Sequence, residues 1–242
     1  MQNLLRSIAP LACLAVILSL PRPATAETLN ETGVWTALFA NGELLLHQDA
    51  KGNAENPWRW WYDGQLRWFE EFDGFGQTIV RPGIGYKVTD KMTLWGGYAW
   101  AHIEPLHDPP IDEHQFWQQI TWSHKFDPAT LDLRSRLEQR FREEGDDTGW
   151  RFRQMFAYRQ PLEVTPRLTF VMWDEVFFNL NDTDWGSHSG FDQNRAFVGL
   201  GWKPTPETTW RVEVGYLNQF IDRVGRANMN NHLLSISLFW NP

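Results

Sequence analysis

The segment Thr130 to Glu143 restricts the fold more than any other part of the chain. Its even positions, Asp132, Arg134, Arg136, Glu138, Arg140 and Arg142, are all charged. Its odd positions are Leu131, Leu133, Ser135, Leu137, Gln139 and Phe141. Successive side chains of a strand point to opposite faces, so this stretch read as β puts a row of ions on one surface and a mostly apolar row on the other. Alternation of this kind recurs along the chain, and no helical pattern is present to cover the apolar faces. A closed barrel, apolar outside and polar inside, accommodates every such strand at once.

The first residues read as a secretory signal. Arg6 is a basic n-region, Ile8 to Leu20 an apolar core, and Ala24-Thr25-Ala26 a small-x-small cleavage site. The expected division is therefore a signal peptide at 1–26 and one barrel domain at 27–242. The single cysteine, Cys13, lies inside the signal, which leaves no thiol, disulfide or zinc-thiolate chemistry beyond it. Formal net charge is −8, and becomes −10 once Arg6 and Arg22 are removed, which argues against a nucleic-acid partner. Mean hydropathy is negative, and no 18-residue apolar run follows the signal, so helical membrane spans are excluded. A barrel escapes that test because only alternate residues face lipid. The fifteen tryptophans, many near expected strand ends, suggest aromatic girdles at membrane interfaces.

Strands are expected over 58–70, 77–88, 92–104, 113–126, 130–142, 150–159, 168–180, 195–203, 208–221 and 232–240. Pro82 calls for a bulge or strand end, because proline lacks a ladder donor. The segment 92–104 is too apolar on both faces to orient. Connections alternate between a short set (89–91, 127–129, 161–166, 204–207) and a longer set (71–76, 105–112, 143–148, 181–194, 222–230). Outer-membrane barrels have short periplasmic turns and longer external loops, which places the C-terminus on the periplasmic side. Glu31 to Phe39 and a return strand over 43–48, joined at Asn41-Gly42, would add a hairpin. The expectation is an all-β, antiparallel transmembrane barrel of about twelve strands, with ten as the alternative.

Several short stretches carry a resemblance. Phe191-Asp192-Gln193-Asn194-Arg195 with Val198-Gly199-Leu200-Gly201, Arg134-x-Arg136-Leu137-Glu138-x-Arg140, Asp174 to Asn179 and Val214 to Gln219, together with Gly33-Val34-Trp35, resemble the bacterial outer-membrane family called domain of unknown function 2490. The resemblance covers nearly all of the chain after the signal. It implies an outer-membrane β-barrel reached through the periplasm, with no assigned activity and no catalytic residue to carry over.

No catalytic constellation is visible. None of the seven histidines has a serine two residues later, the arrangement that would put base and hydroxyl on one strand face. Asp174 and Glu175 are adjacent and so face opposite ways. There is no H-x-H or H-x-x-x-H, and Asn181 to Asp184 lacks the glycine and distal glutamate of a calcium loop. No cofactor or metal is expected. The remaining signal is an arginine-rich interior: Arg67, Arg81, Arg134, Arg136, Glu138, Arg140, Arg151, Arg153, Arg195, Arg211, Glu213 and Gln219 are assigned to the lumen. Two readings stay open for a non-enzymatic barrel: a narrow pore for small anionic solutes, or a structural barrel whose lumen is filled by an internal ionic network. An outer-membrane lipid-modifying hydrolase is the alternative of a different class. The expected partners are outer-membrane lipid, small anions and, during biogenesis, the barrel-assembly machinery.

Overall fold

The computed structural model describes residues 27–44, 56–69, 74–105, 109–205 and 207–242. The expected signal segment lies outside them. Eleven strands occur among the described residues: β1 Thr28–Glu43, β2 Trp58–Phe69, β3 Gly74–Thr89, β4 Met92–Ile103, β5 Ile111–Phe126, β6 Ala129–Arg142, β7 Gly149–Leu162, β8 Thr165–Asn179, β9 Gly190–Trp202, β10 Trp210–Ile221 and β11 Asn228–Trp240. Each pairs with its neighbours in sequence, and β1 closes on β11 to complete a barrel.

The strand count corrects the expectation of twelve or ten. Asn41 and Gly42 form no hairpin. They lie inside β1, opposite Trp61 and Trp60 of β2. The strand runs on because pairing with β2 satisfies its backbone as far as Glu43, which also bonds Arg59 at 3.1 Å. Gly42 serves a different need, since a Cβ there would lie 2.9 Å from Trp60 Nε1. Most of the expected return strand, 45–48, lies outside the described residues. An odd number of strands in a meander forces one parallel seam. It falls between β1 and β11, with Thr28 opposite Asn228 and Ala40 opposite Trp240. The other seams are antiparallel, as expected.

Pro82 ends nothing. It sits within β3 opposite Tyr62, and pairing with β4 lapses at Arg81 and Pro82 and resumes in the same register beyond them. A backbone donor lies in the plane of the sheet and serves one neighbour, so its loss interrupts the β4 seam for two residues while the β2 seam carries the strand through. From β2 onward the connections alternate between the two ends in the expected order. Turns at 90–91, 127–128, 163–164 and 203–209 share one end with the C-terminus and with the 44–57 connection. The connections 70–73, 104–110, 143–148, 180–189 and 222–227 gather at the other end, and the length contrast fails at 44–57 and 203–209, which are longer than 70–73.

The two faces carry opposite chemistry. Outside, Leu66, Ile84, Phe116, Ile120, Val198, Leu200, Val214 and Ile236 are exposed. Inside, Arg136, Glu138, Glu113, Asp63 and Glu213 are buried. A water-soluble sheet protein has the reverse arrangement. β4, unreadable in sequence, turns Trp95, Ala99 and Ala101 inward and leaves Leu94 exposed. Its inward residues include small ones because Trp117 fills the lumen there. A Cβ added to Gly97 or Gly83 would lie 2.5 Å from the Trp117 ring.

Nine tryptophans stand on the outer face near strand ends. Trp58, Trp60, Trp122, Trp202, Trp210 and Trp240 lie toward the short-turn end, and Trp68, Trp100 and Trp150 toward the long-loop end. The other six depart from the girdle expectation. Trp35, Trp61, Trp95, Trp117 and Trp173 point inward, and Trp185 lies in the 180–189 loop. Trp61 could have been recognised, because it shares parity with Asp63, Gln65 and Arg67.

Candidate functional site: an ion-paired plug above a blind cavity

All twelve residues assigned to the lumen lie inside the barrel. Arg67, Arg81, Arg136, Glu138, Arg140, Arg151, Arg153, Arg195, Glu213 and Gln219 are buried, and Arg134 and Arg211 half-buried. Two acids were not assigned, and both are central. Glu113 shares parity with Gln115 and Gln119, which was its available signal. Glu175 was harder to place, because its inward neighbours Val171, Trp173 and Phe177 are apolar.

The long-loop half of the lumen is filled. Glu113 accepts hydrogen bonds from Arg140 Nε at 2.8 Å and Nη2 at 2.7 Å, and from Arg142 Nε at 2.8 Å. Glu138 accepts from Arg151 Nε at 2.8 Å and Arg153 Nη1 at 2.6 Å. Glu175 accepts from Arg134 Nη2 at 2.9 Å and from Arg153 through Nε at 2.9 Å and Nη2 at 3.1 Å. Asp63 takes Arg81 at 2.5 Å and Gln65 at 2.7 Å. These are charge-assisted bonds, several of them in fork geometry, and they offset the desolvation that burying the ions costs. A run of amides continues the network: Gln219 donates to Gln193 at 2.7 Å, and Asn231 donates to Gln219 at 3.2 Å.

Loop residues cover this end. The backbone amides of Asp146 and Asp147 donate to Asp184, and the amide of Asp184 donates back to Asp147. These bonds hold the Asp184 carboxyl below its usual range, the amide of Asp146 first. Trp185 Nε1 donates to the Asp147 carbonyl at 2.8 Å, which swings the indole over Arg140 and Arg142, 5.1 and 4.7 Å from their guanidinium carbons.

The short-turn half is open. A cavity of about 680 Å³ runs inward from Asp90, Lys91, Pro161 and Asn241 at the rim and ends at Arg134, Arg153, Glu175 and Arg195. None of Arg136, Glu138, Arg140, Arg151 or Glu113 lines it, so it stops at the plug. Nearer the mouth, Glu213 accepts from Arg211 at 2.8 Å and Arg159 at 3.3 Å, and Arg159 also donates to Asp132.

Seven arginines (67, 81, 136, 140, 151, 153, 195) and five acids (63, 113, 138, 175, 213) are buried. The interior is therefore short of anions. Arg67, Arg136 and Arg195 stack on aromatic rings instead, at 3.5 Å from Trp35, 4.8 Å from Trp117 and 4.4 Å from Phe177. Arg136 comes no nearer to a carboxylate than 3.9 Å, to Glu138.

The family model described as "Protein of unknown function (DUF2490)" matches residues 32–230. The chain belongs to this family. An uncharacterized protein of Methylorubrum extorquens (strain AM1) is 38% identical over 165 residues, covering 67% of this chain and 72% of that protein. In the DUF2490 barrel the quoted motifs meet inside. Arg134, Arg136, Glu138 and Arg140 from β6, Glu175 from β8, Arg195 from β9 and Gln219 from β10 belong to one interior. Asp174, the neighbour of Glu175, faces outward, and its carboxylate accepts from Asn194 at 3.0 Å.

Proposed function

We propose that this DUF2490 protein is an outer-membrane β-barrel exported through the periplasm, and that its lumen is closed by the ion-paired plug instead of conducting. The observation that carries this reading is the reversal of faces. Ions turned into the lumen, most of them paired there, and an uncovered apolar exterior suit a hydrocarbon solvent and no aqueous one. Strands of 12 to 16 residues exceed the roughly 9–11 needed to cross at a tilt. The outer tryptophans at both strand ends fit interfacial belts. The short-turn end, with the C-terminus, then faces the periplasm.

Of the two non-enzymatic readings, the filled long-loop half supports the structural barrel over a pore for small anions. Planar-bilayer recording of the refolded protein tests it. No steady conductance above the lipid leak is expected, and steady anion-selective steps would restore the pore.

The hydrolase reading has one observation in its favour, an outward histidine–acid pair near the long-loop rim. His102 Nδ1 lies 2.9 Å from Asp112 and its Nε2 lies 3.4 Å from Glu104. The residue opposite on β3 is Thr78, and no serine bonds a histidine among the described residues. We therefore favour a non-enzymatic barrel, and phospholipid turnover by the purified protein would refute that choice.

A further inference from the structure

The cavity has the composition of a binding site. Trp35, Trp61, Trp95, Trp173, Phe197 and Phe239 line it, and its volume of about 680 Å³ is that of a small-molecule pocket. Trp173 and Phe197 stack at 5.4 Å, and Trp61 and Trp95 meet edge-on at 5.3 Å. Between these rigid walls stand polar and charged groups, and the acids Asp63, Asp132 and Glu213 among them are each already held by an arginine.

Its blind end gathers three guanidiniums, Arg134, Arg153 and Arg195, around one carboxylate, Glu175. Arg134 and Arg153 occupy both oxygens of that carboxylate. Arg195 stands opposite Glu175 in the β8–β9 register. No carboxylate lies within hydrogen-bonding distance of it among the described residues. Its Nε donates to Gln193 at 3.2 Å, and its guanidinium carbon lies 4.8 Å from the Trp35 ring and 4.4 Å from the Phe177 ring. Arg195 is 8% exposed. A cation this buried calls for a counter-charge, and stacking leaves its terminal amino groups without one.

We propose that the cavity binds a small organic anion. The acidic group meets Arg195 at the blind end, and an apolar ring lies between the tryptophan walls. An anion without a ring would leave those walls empty, and an uncharged ring would leave Arg195 unpaired. Resting on the membrane reading above, the ligand enters from the periplasm, since the mouth is at the short-turn end.

The test uses the full folded chain in neutral detergent, with empty micelles subtracted, and equilibrium dialysis of 1-naphthoate, 1-naphthylmethanol and inorganic phosphate. The expected result is saturable binding of one naphthoate per barrel, about tenfold tighter than the alcohol, as one charge-assisted contact provides. Phosphate should not displace it at equal concentration. R195Q should weaken naphthoate about tenfold, and S237W, placed on the cavity wall, should abolish binding. Where R195Q does not fold, R195K keeps the charge without the planar fork and should bind several-fold more weakly than the native chain.

Partitioning no different from empty micelles, equal binding of acid and alcohol, displacement by phosphate, or full affinity in both R195Q and S237W would each overturn the site. Conductance is read separately. An open channel would sink the closed-lumen reading, and naphthoate would still stand or fall by Arg195.

Discussion

Glu138 is the residue whose loss should hurt most. It is fully buried, and its carboxylate is shared by two arginines through Arg151 Nε at 2.8 Å, Arg151 Nη2 at 2.7 Å and Arg153 Nη1 at 2.6 Å. In Glu138→Ala, Arg153 keeps Glu175, but Arg151 keeps only Asp192 at 3.4 Å. The change therefore strands one buried guanidinium, weakens a second and removes the carboxylate nearest to Arg136. Breaking a buried pair by removing one partner costs about 3–5 kcal/mol. Glu138→Gln retains acceptor geometry without charge, so its cost should fall nearer one charge-assisted bond, about 1.5–3 kcal/mol. Replacing Glu138 together with Arg151, as Glu138→Leu with Arg151→Met, should recover part of the loss, because the Arg151 charge goes with its partner while Arg153 keeps Glu175. Urea unfolding from lipid vesicles, followed by tryptophan emission, measures all three. Asp90→Ala is the control, since the Lys87–Asp90 pair lies at an exposed turn, and no measurable change is expected there. A Glu138→Ala cost below about 1 kcal/mol would mean that water reaches these ions, and the plug argument would fail.

Three further outcomes follow from the same geometry. Leu200→Arg, on the outer face, should cost about 2–4 kcal/mol in a bilayer and little in a detergent that covers the barrel loosely, as the same urea titrations in both media would show. Gly83→Val drives a side chain into Trp117, 2.5 Å from its Cβ position; overpacking of about 1–3 kcal/mol is expected, with partial rescue by Trp117→Phe in thermal melts. The third concerns pH. The bonds from Asp146 and Asp147 depress the Asp184 carboxyl below its usual 3.8, so they add stability above that value and lose it as pH falls through the lower folded value. Loop contacts at Trp185 should thus persist from pH 8 to about 5 and loosen only under strong acid, read as acrylamide quenching of a chain that keeps Trp185 and has its exposed outer tryptophans replaced by Phe.

How much of this was legible in sequence depended on contrast between faces. β6 announces itself because from Asp132 to Arg142 every inward residue is charged and no outward residue is. The alternating loop lengths likewise gave strand direction. β4 had no such contrast, because it faces aromatic packing inside and an apolar surface outside. The same aromatic lining hid the cavity: Trp61 and Trp173 resemble girdle residues until parity with Asp63 and Glu175 is considered, and Trp35 and Trp95 have no charged residue of like parity beside them to mark their face. The β1–β11 closure is a contact between the two ends of the chain, and no local pattern encodes it. Asn41-Gly42 has the composition of a turn, but pairing with β2 outweighed that preference. The charged plug was readable as a set, yet its partners were not, since Glu113 and Glu175 meet their arginines only across strands, Arg134 reaching Glu175 past β7.

The account depends most on which face meets lipid. A bimane fluorophore at single cysteines, introduced at Leu133, Val198, Leu200 and Ile236 and in turn at Arg136, Gln219 and Ser235, in a Cys13→Ser background, reads this directly in vesicles with brominated acyl chains. Strong quenching is expected at the first four positions and little at the last three. Quenching at Arg136, Gln219 and Ser235 with none at Leu200 and Ile236 would contradict it.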